Sequence, residues 1–119
     1  MNEYELMKSM FDNFKVDGKE IPVDYLKYKG KSKTYVTYTF INDDPELFAE
    51  DKEVASIITL DIDIFSDRNY LAIETAIKDL MEENNFIRTG SSPDMYEEDT
   101  GLYHKTIEFE KERMRIWQE

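Results

Sequence analysis

Alternation of apolar and polar residues marks two stretches of the chain and predicts two β-strands, over residues 54–65 and 102–110. The first strand has an aliphatic face made of Ile58, Leu60, Ile62 and Ile64. A period of two turns this face toward a core and places Asp61 and Asp63 on the opposite, wet face. Stretches rich in β-branched and aromatic residues predict two further strands, over 34–41 and 86–96.

Apolar residues at helical spacing predict two helices, over residues 2–14 and 68–84. Ser66 or Asp67 is the expected N-cap of the second helix, because both residue types accept hydrogen bonds from free helix amides. Residues 42–53 are expected to form an acidic connection between the first two strands.

The elements therefore follow the order α, β, β, α, β, β. Two hairpins covered by helices predict an α+β fold, with an antiparallel sheet of about four strands and helices packed on one face. At 119 residues the chain fits one domain, spanning 1–119.

Composition narrows the class of protein. The chain has no cysteine, which excludes a disulfide framework, a zinc ribbon and a cysteine nucleophile, and which fits a reducing compartment. Its 13% aromatic content argues against disorder. The chain contains no apolar run of membrane-spanning length, and its N-terminus lacks the pattern of a secretory signal.

Negative charge is concentrated in the middle of the chain. Of the formal net charge of -12, residues 35–99 contribute 4 Lys/Arg against 17 Asp/Glu, whereas residues 1–34 carry 7 Lys against 6 acids. Such a field repels phosphate, so sequence-specific nucleic-acid binding and membrane binding are not expected. Three interpretations remain: simple solubility, a surface that keeps DNA away, and a DNA mimic that binds a basic partner.

Candidate catalytic and metal-binding residues are few. His104 is the only histidine and is expected to be an exposed strand residue. Asp61 and Asp63 project from one strand face and could share Mg²⁺, but the same pattern suits a solvated face. The chain contains no phosphate-binding loop and no nucleophile elbow. We therefore expect no enzyme activity, no catalytic residues, no metal and no cofactor.

Two apolar features are candidates for contact with another subunit. Leu47 and Phe48 form an apolar pair within the acidic connection, and Trp117 lies near the C-terminus. Aromatic anchors dominate many protein interfaces. Each residue also has a simpler interpretation, which is packing onto the core of its own subunit.

The run Tyr96-Glu97-Glu98-Asp99-Thr100-Gly101-Leu102-Tyr103-His104-Lys105, with the segments around 40–43 and 61–66, resembles a family of phage proteins. These are the tail-completion, or tail-terminator, proteins encoded in tail-gene clusters of siphophages and prophages of Gram-positive bacteria. The resemblance covers most of residues 34–110. It implies an α+β fold, no enzyme activity and no cofactor.

The resemblance also implies partners and a location. Such subunits form rings, commonly hexamers, that cap the tail tube and join it to the head connector, first in the host cytoplasm and then in the virion. Among the matching residues, Tyr96 and Tyr103 are implied to shape subunit contacts. A neck adaptor of the same tail module and an acidic DNA-mimic inhibitor of a host DNA-binding enzyme are the alternatives.

Overall fold

The computed structural model describes residues 2–50 and 52–114. Within these residues, two helices and eight strands follow one another. They are α1 (Glu3–Met10), β1 (Lys15–Val16), β2 (Lys19–Glu20), β3 (Val23–Tyr25), β4 (Tyr35–Ala49), β5 (Lys52–Ser66), α2 (Leu71–Glu83), β6 (Ile87–Ser91), β7 (Met95–Glu97) and β8 (Leu102–Met114). Neither helix has the length and apolar character needed to cross a bilayer.

The main sheet is mixed and has six strands, so the prediction of a four-stranded antiparallel sheet is wrong. Its order is β3-β4-β5-β8-β6, with β7 also pairing with β8, while β1 and β2 form a separate two-stranded sheet. The β3–β4 pair is parallel. The short strand β3 carries too few residues for a periodic signal, and Pro93 and its neighbours split residues 86–96 into β6 and β7.

Both helices contribute to one core on one face of the main sheet. Leu60, Ile62 and Ile64 of β5 have no exposed surface, as the alternation of that strand predicts. The core side chains from the helices are Met7, Ile73, Ile77 and Met81, and those from β8 are Ile107 and Phe109. The opposite face of β5 carries Asp61 and Asp63, and no helix covers it.

The acidic stretch 42–53 is a hairpin rather than the expected connection, because β4 continues to Ala49 and β5 begins at Lys52. Irregular pairing on both sides of Pro45 lets the strand accept a residue that has no amide to donate. The two long strands and β8 give the molecule extents of 53 × 26 × 24 Å. We call residues 42–59 and 110–114 the arm.

The helix ends differ from the predicted ones by a few residues. Asn2 caps α1 by accepting a hydrogen bond from the amide of Glu5 at 2.9 Å, but the helix ends at Met10 rather than at residue 14. Asn13 has a positive φ of 54°, which breaks the helical path. Helix α2 begins at Leu71, so neither Ser66 nor Asp67 is its N-cap.

Candidate interaction surface

The face of the main sheet that lies opposite the helices carries two adjacent rows of carboxylates. Asp61 and Asp63 lie on β5, and Glu108 and Glu110 lie on the neighbouring strand β8. Asp61 is directly opposite Glu108 in the register. Directly opposed side chains in a sheet lie about 5 Å apart at Cβ, so these two like charges repel each other. We call this surface the carboxylate face.

The surroundings of Asp61 oppose the ionisation of its carboxyl group. Partial burial, followed by the charges of Glu108 and Asp63, raises the pKa of Asp61 above its usual value. At the start of the arm, a hydrogen bond with Glu112, with smaller effects of burial and of the Glu112 charge, raises the pKa of Glu46 in the same direction. The carboxylate face and the arm thus hold negative charges that the fold itself leaves without full compensation.

His104 belongs to this face and is not the exposed histidine that the sequence predicts. Its side chain is 19% exposed, and its Nε2 lies 2.8 Å from Oδ1 of Asp63. Thr106 donates a second hydrogen bond to the same carboxylate oxygen, at 2.5 Å. On the other side of the ring, Nδ1 lies 3.6 Å from Oε2 of Glu97. Asp63 is therefore anchored, whereas Asp61 is not.

Four rings stack across the sheet beside this anchor. Centroid separations are 4.3 Å between Tyr28 and Tyr35, 4.9 Å between Tyr35 and Phe65, and 4.1 Å between Phe65 and His104, each with planes 20° apart. The rings come from the loop before β4 and from β4, β5 and β8. The stack locks three strands in register at the end of the sheet opposite the arm.

Sequence reasoning missed both the ring stack and the contact of His104 with Asp63. The stacking of Phe65 on His104 and the contact of His104 with Asp63 depend on β5 pairing with β8, which begins at Leu102, 36 residues after β5 ends at Ser66. Because no hairpin turn joins β5 to β8, no turn sequence predicts that they pair. The signal that could have found it is the matched alternation of the two strands, which brings Phe65 opposite His104 and Asp63 opposite Thr106.

The base of the arm is tied to the helix layer by one arginine. Arg113 of β8 donates from Nη1 to Glu3 of α1 at 2.7 Å and from Nη2 to Asp43 of β4 at 2.5 Å. Ser56 lies directly opposite Arg113, and its hydroxyl is fully buried without a hydrogen-bond partner among the described residues. An unpaired buried hydroxyl destabilises a fold.

A polar cluster fixes the start of α2. The hydroxyl of Tyr70 donates to Asp94, which also accepts from Lys105 at 3.3 Å. Burial and the bond to Asp94 raise the pKa of Tyr70, while Tyr70 and Lys105 lower the pKa of Asp94. An open cavity of about 550 Å³ lies beside this cluster, with Tyr103 in its wall. The cluster ties the helix to the loop before β7.

The candidate interface residues fall in three places. Tyr96 and Tyr103 lie opposite each other on β7 and β8, with ring centroids 5.0 Å apart, and are 55% and 43% exposed. Leu47 and Phe48 belong to β4, at backbone positions paired with Ala55 and Glu53 near the end of the arm. Trp117 lies outside the described residues. Their role in subunit contacts stays a prediction.

Within residues 2–50 and 52–114, no three side chains of the His, Asp and Glu types converge as a metal site would require. Asp61 and Asp63 share a face, but the third and fourth ligands that a cation prefers are not arranged around them. No family model matches the chain, and no curated protein matches it either.

Proposed function

We propose that this chain is a structural subunit of a phage or prophage tail, a tail-completion protein that caps the tail tube and joins it to the head connector as a ring. It would act in the host cytoplasm during assembly and remain in the neck of the virion. The observation that carries the proposal is the carboxylate face, which is continuous with the long arm. The resemblance of residues 34–110 to tail-terminator proteins supports it.

A DNA channel explains why negative charge would be kept on the face of the sheet that lies opposite the helices. DNA passing through a tail must not stick to the wall. Carboxylates facing phosphates repel them, and the repulsion acts over about 10 Å at 0.1 M salt. Asp61 lies directly opposite Glu108, and two like charges in this position oppose folding, which fits a surface shaped for such a task.

The elongated shape suits a subunit that contacts its neighbours at two different places. A molecule 53 Å long and about half as wide presents distinct surfaces at its two ends. Contacts between unlike surfaces generate rings when the rotation closes. The exposed pair Tyr96 and Tyr103, together with Leu47 and Phe48, are the apolar residues that we propose for contacts with neighbouring subunits or the tube.

The test uses tubes assembled from the major tail-tube protein of the phage or prophage that encodes this chain. The purified chain should bind tube ends and stop further growth at a small molar ratio to the tube protein, as seen by electron microscopy of tube lengths. Binding to the head connector with no effect on tube growth would identify a neck adaptor instead. A chain that binds neither component would contradict the proposal.

One observation favours a second function, an acidic DNA mimic. Carboxylates of one strand repeat about every 6.6–6.8 Å, and the neighbouring strand lies about 4.8 Å away, so β5 and β8 present a double row. A mimic would inhibit a DNA-binding enzyme in competition with DNA. The double substitution Asp61→Asn with Glu108→Gln would then weaken inhibition. If the chain is a tail-completion protein, the same variant would still cap tubes.

A further inference from the structure

β4 has a long edge that no strand covers among the described residues. On one side β4 pairs with β5 along its length, but on the other side β3 reaches only from Val36 to Tyr38. The outer edge of residues 39–49, which we call the free edge, therefore offers its carbonyls and, except at Pro45, its amides to a further strand. Pro45 and the irregular pairing beside it interrupt this edge locally, as in many edge strands, and the charged residues along it are Asp43, Asp44 and Glu46 rather than the usual lysines.

Apolar surface adjoins the start of the free edge. The rings of Tyr4 and Tyr25 pack around Phe40, at centroid distances of 4.4 and 6.4 Å. Tyr4 and Tyr25 are nonetheless 52% and 43% exposed, and Ile41 on the edge itself is 47% exposed. Half-exposed aromatic side chains beside an open edge are the combination that anchors an added strand in other β-augmentation complexes.

The same chain carries a segment whose charge matches this edge. Residues 27–33, the lysine segment, contain Lys27, Lys29, Lys31 and Lys33 at alternate positions. All four lysines are exposed, and none makes an ion pair with another described residue. Residues 27–33 are a loop in the subunit, but once extended they would carry the four lysines on one side, because side chains alternate with a period of two. On the other side Tyr28 is held by stacking on Tyr35.

The lysine segment cannot reach the acidic part of the free edge of its own molecule. The segment ends just before Tyr35, where β4 begins, and Tyr28 keeps it there. Asp43 and Glu46 lie eight and eleven residues further along β4, about 26 and 36 Å away at 3.3 Å per residue. The complementary surfaces therefore lie at opposite ends of the molecule and can meet only between two copies.

We propose that the lysine segment of one copy adds as an extended strand to the free edge of β4 in the next copy. The main-chain groups of the edge would gain partners, and the lysines would lie against Asp44 and Glu46. The contact joins unlike surfaces, so it repeats head to tail. It extends the proposed function by naming a subunit contact, and rests on that function only for the closure of the copies into a ring.

The test is a charge exchange between the two surfaces. Lys29→Glu with Lys31→Glu gives the segment variant, and Asp44→Lys with Glu46→Lys gives the edge variant. Each variant alone should raise the dissociation constant for self-association at least tenfold, measured by sedimentation velocity over a concentration series in low salt. Mixing the two variants, or combining all four substitutions in one chain, should restore association, because opposite charges face each other again.

Two controls separate this contact from general charge effects. The four-fold variant keeps the wild-type net charge of -12, since the two exchanges cancel. Lys15→Glu with Lys19→Glu lowers the net charge to -16, as the segment variant does, at exposed positions of the small β1–β2 sheet, and should leave association near wild type. Hydrogen exchange should also show new protection of amides on the free edge in the associated form.

The proposal is overturned if the wild-type chain stays monomeric at every concentration, or if the control pair weakens association as much as the segment variant does. It is also overturned if neither the mixture nor the four-fold variant associates although the single variants are folded by circular dichroism. Capping of tail tubes is a separate readout. If the chain associates through these surfaces but leaves tube growth unchanged, the proposed function is contradicted and the proposed contact is still supported.

Discussion

Asp61 and Asp63 share a strand face, but neutralising them should change the free energy of unfolding in opposite directions. Asp61 lies directly opposite Glu108, and its surroundings raise its pKa, first by partial burial and then by the charges of Glu108 and Asp63. Asp63 accepts hydrogen bonds from Thr106 and from the ring of His104. We therefore predict that Asp61→Asn stabilises the chain and that Asp63→Asn destabilises it.

The expected gain for Asp61→Asn follows from Coulomb's law. Two carboxylates about 6 Å apart repel each other by about 0.7 kcal/mol at the dielectric constant of water. Because Asp61 is partly exposed and solvent screens the repulsion, we reduce this to a stabilisation of about 0.5 kcal/mol, in the range of cross-strand charge effects. In a chain of this size that free energy raises the melting temperature by about 2 °C.

The loss for Asp63→Asn comes from hydrogen bonds to a charged acceptor, which contribute about 1.5–3 kcal/mol each. Thr106 and His104 both contact Oδ1 of Asp63, so an asparagine whose side-chain oxygen takes that position keeps both contacts but loses the negative charge that strengthens them. Relief of repulsion from Asp61 offsets part of the loss. We expect a net destabilisation of about 1 kcal/mol and a fall in melting temperature of about 4 °C.

The assay is urea unfolding of wild type and both variants, followed by circular dichroism, at pH 7.5 and in steps down to pH 5. A carboxyl group with a raised folded-state pKa favours folding at low pH and loses that contribution as the pH rises through its folded-state pKa. The advantage of Asp61→Asn should therefore be largest at pH 7.5 and shrink toward pH 5. It should also shrink at 1 M salt, which screens the repulsion.

Asp79→Asn on the exposed side of α2 serves as the matched control and should change stability by less than about 0.5 kcal/mol. If both aspartate variants were stabilised, the contact of Asp63 with His104 would not be holding the fold. If both were destabilised, Asp61 would have an attractive partner, and repulsion between Asp61 and Glu108 would not be what opposes folding at this position.

Three further predictions concern the core and the arm. Ile62→Asp should lower the free energy of unfolding by about 3 kcal/mol or more, measured by urea unfolding, because Ile62 has no exposed surface and the new charge would be buried without a partner. Ser56→Ala should raise the free energy of unfolding by about 1 kcal/mol, and the melting temperature with it, since it removes a buried hydroxyl that has no partner among the described residues. A lower melting temperature would mean that the hydroxyl makes a hydrogen bond in solution. Leu47→Ala with Phe48→Ala should weaken ring formation seen by light scattering while the subunit keeps its fold, whereas unchanged assembly with a lower melting temperature would place the pair in the subunit's own core.

Local periodicity predicted the parts of the fold that depend on one segment at a time. The aliphatic face of Ile58 to Ile64 and the apolar stripe of α2 both pack where their spacing indicates. The predicted sheet was wrong where the order of the strands depends on pairing that no hairpin turn predicts, as in the parallel β3–β4 pair. The prediction of an acidic connection over 42–53 was wrong. Acidic residues and proline are rare in strands, but pairing with β5 outweighs that local preference here.

The candidate surface could be predicted only in part, for the same physical reason. Alternation placed Asp61 and Asp63 on the wet face, which the structure bears out. It did not distinguish the two residues, because that difference arises on the partner strand, where Asp61 meets Glu108 and Asp63 meets Thr106. The sequence likewise predicted an exposed His104, because its contact with Asp63 exists only once β8 lies beside β5.

The distribution of charge over the two ends of β4 is more informative about possible partners than the net charge. With 15 Lys and Arg residues, the chain has cations enough to neutralise its carboxylate face, and mixed charges would serve solubility as well. Instead, four of its lysines lie together in residues 27–33, beyond the reach of the acidic arm. Each molecule therefore leaves two unlike surfaces unsatisfied at its two ends. Further copies of the same chain can satisfy both surfaces, one neighbour at each end, whereas a single basic partner could satisfy only the acidic one.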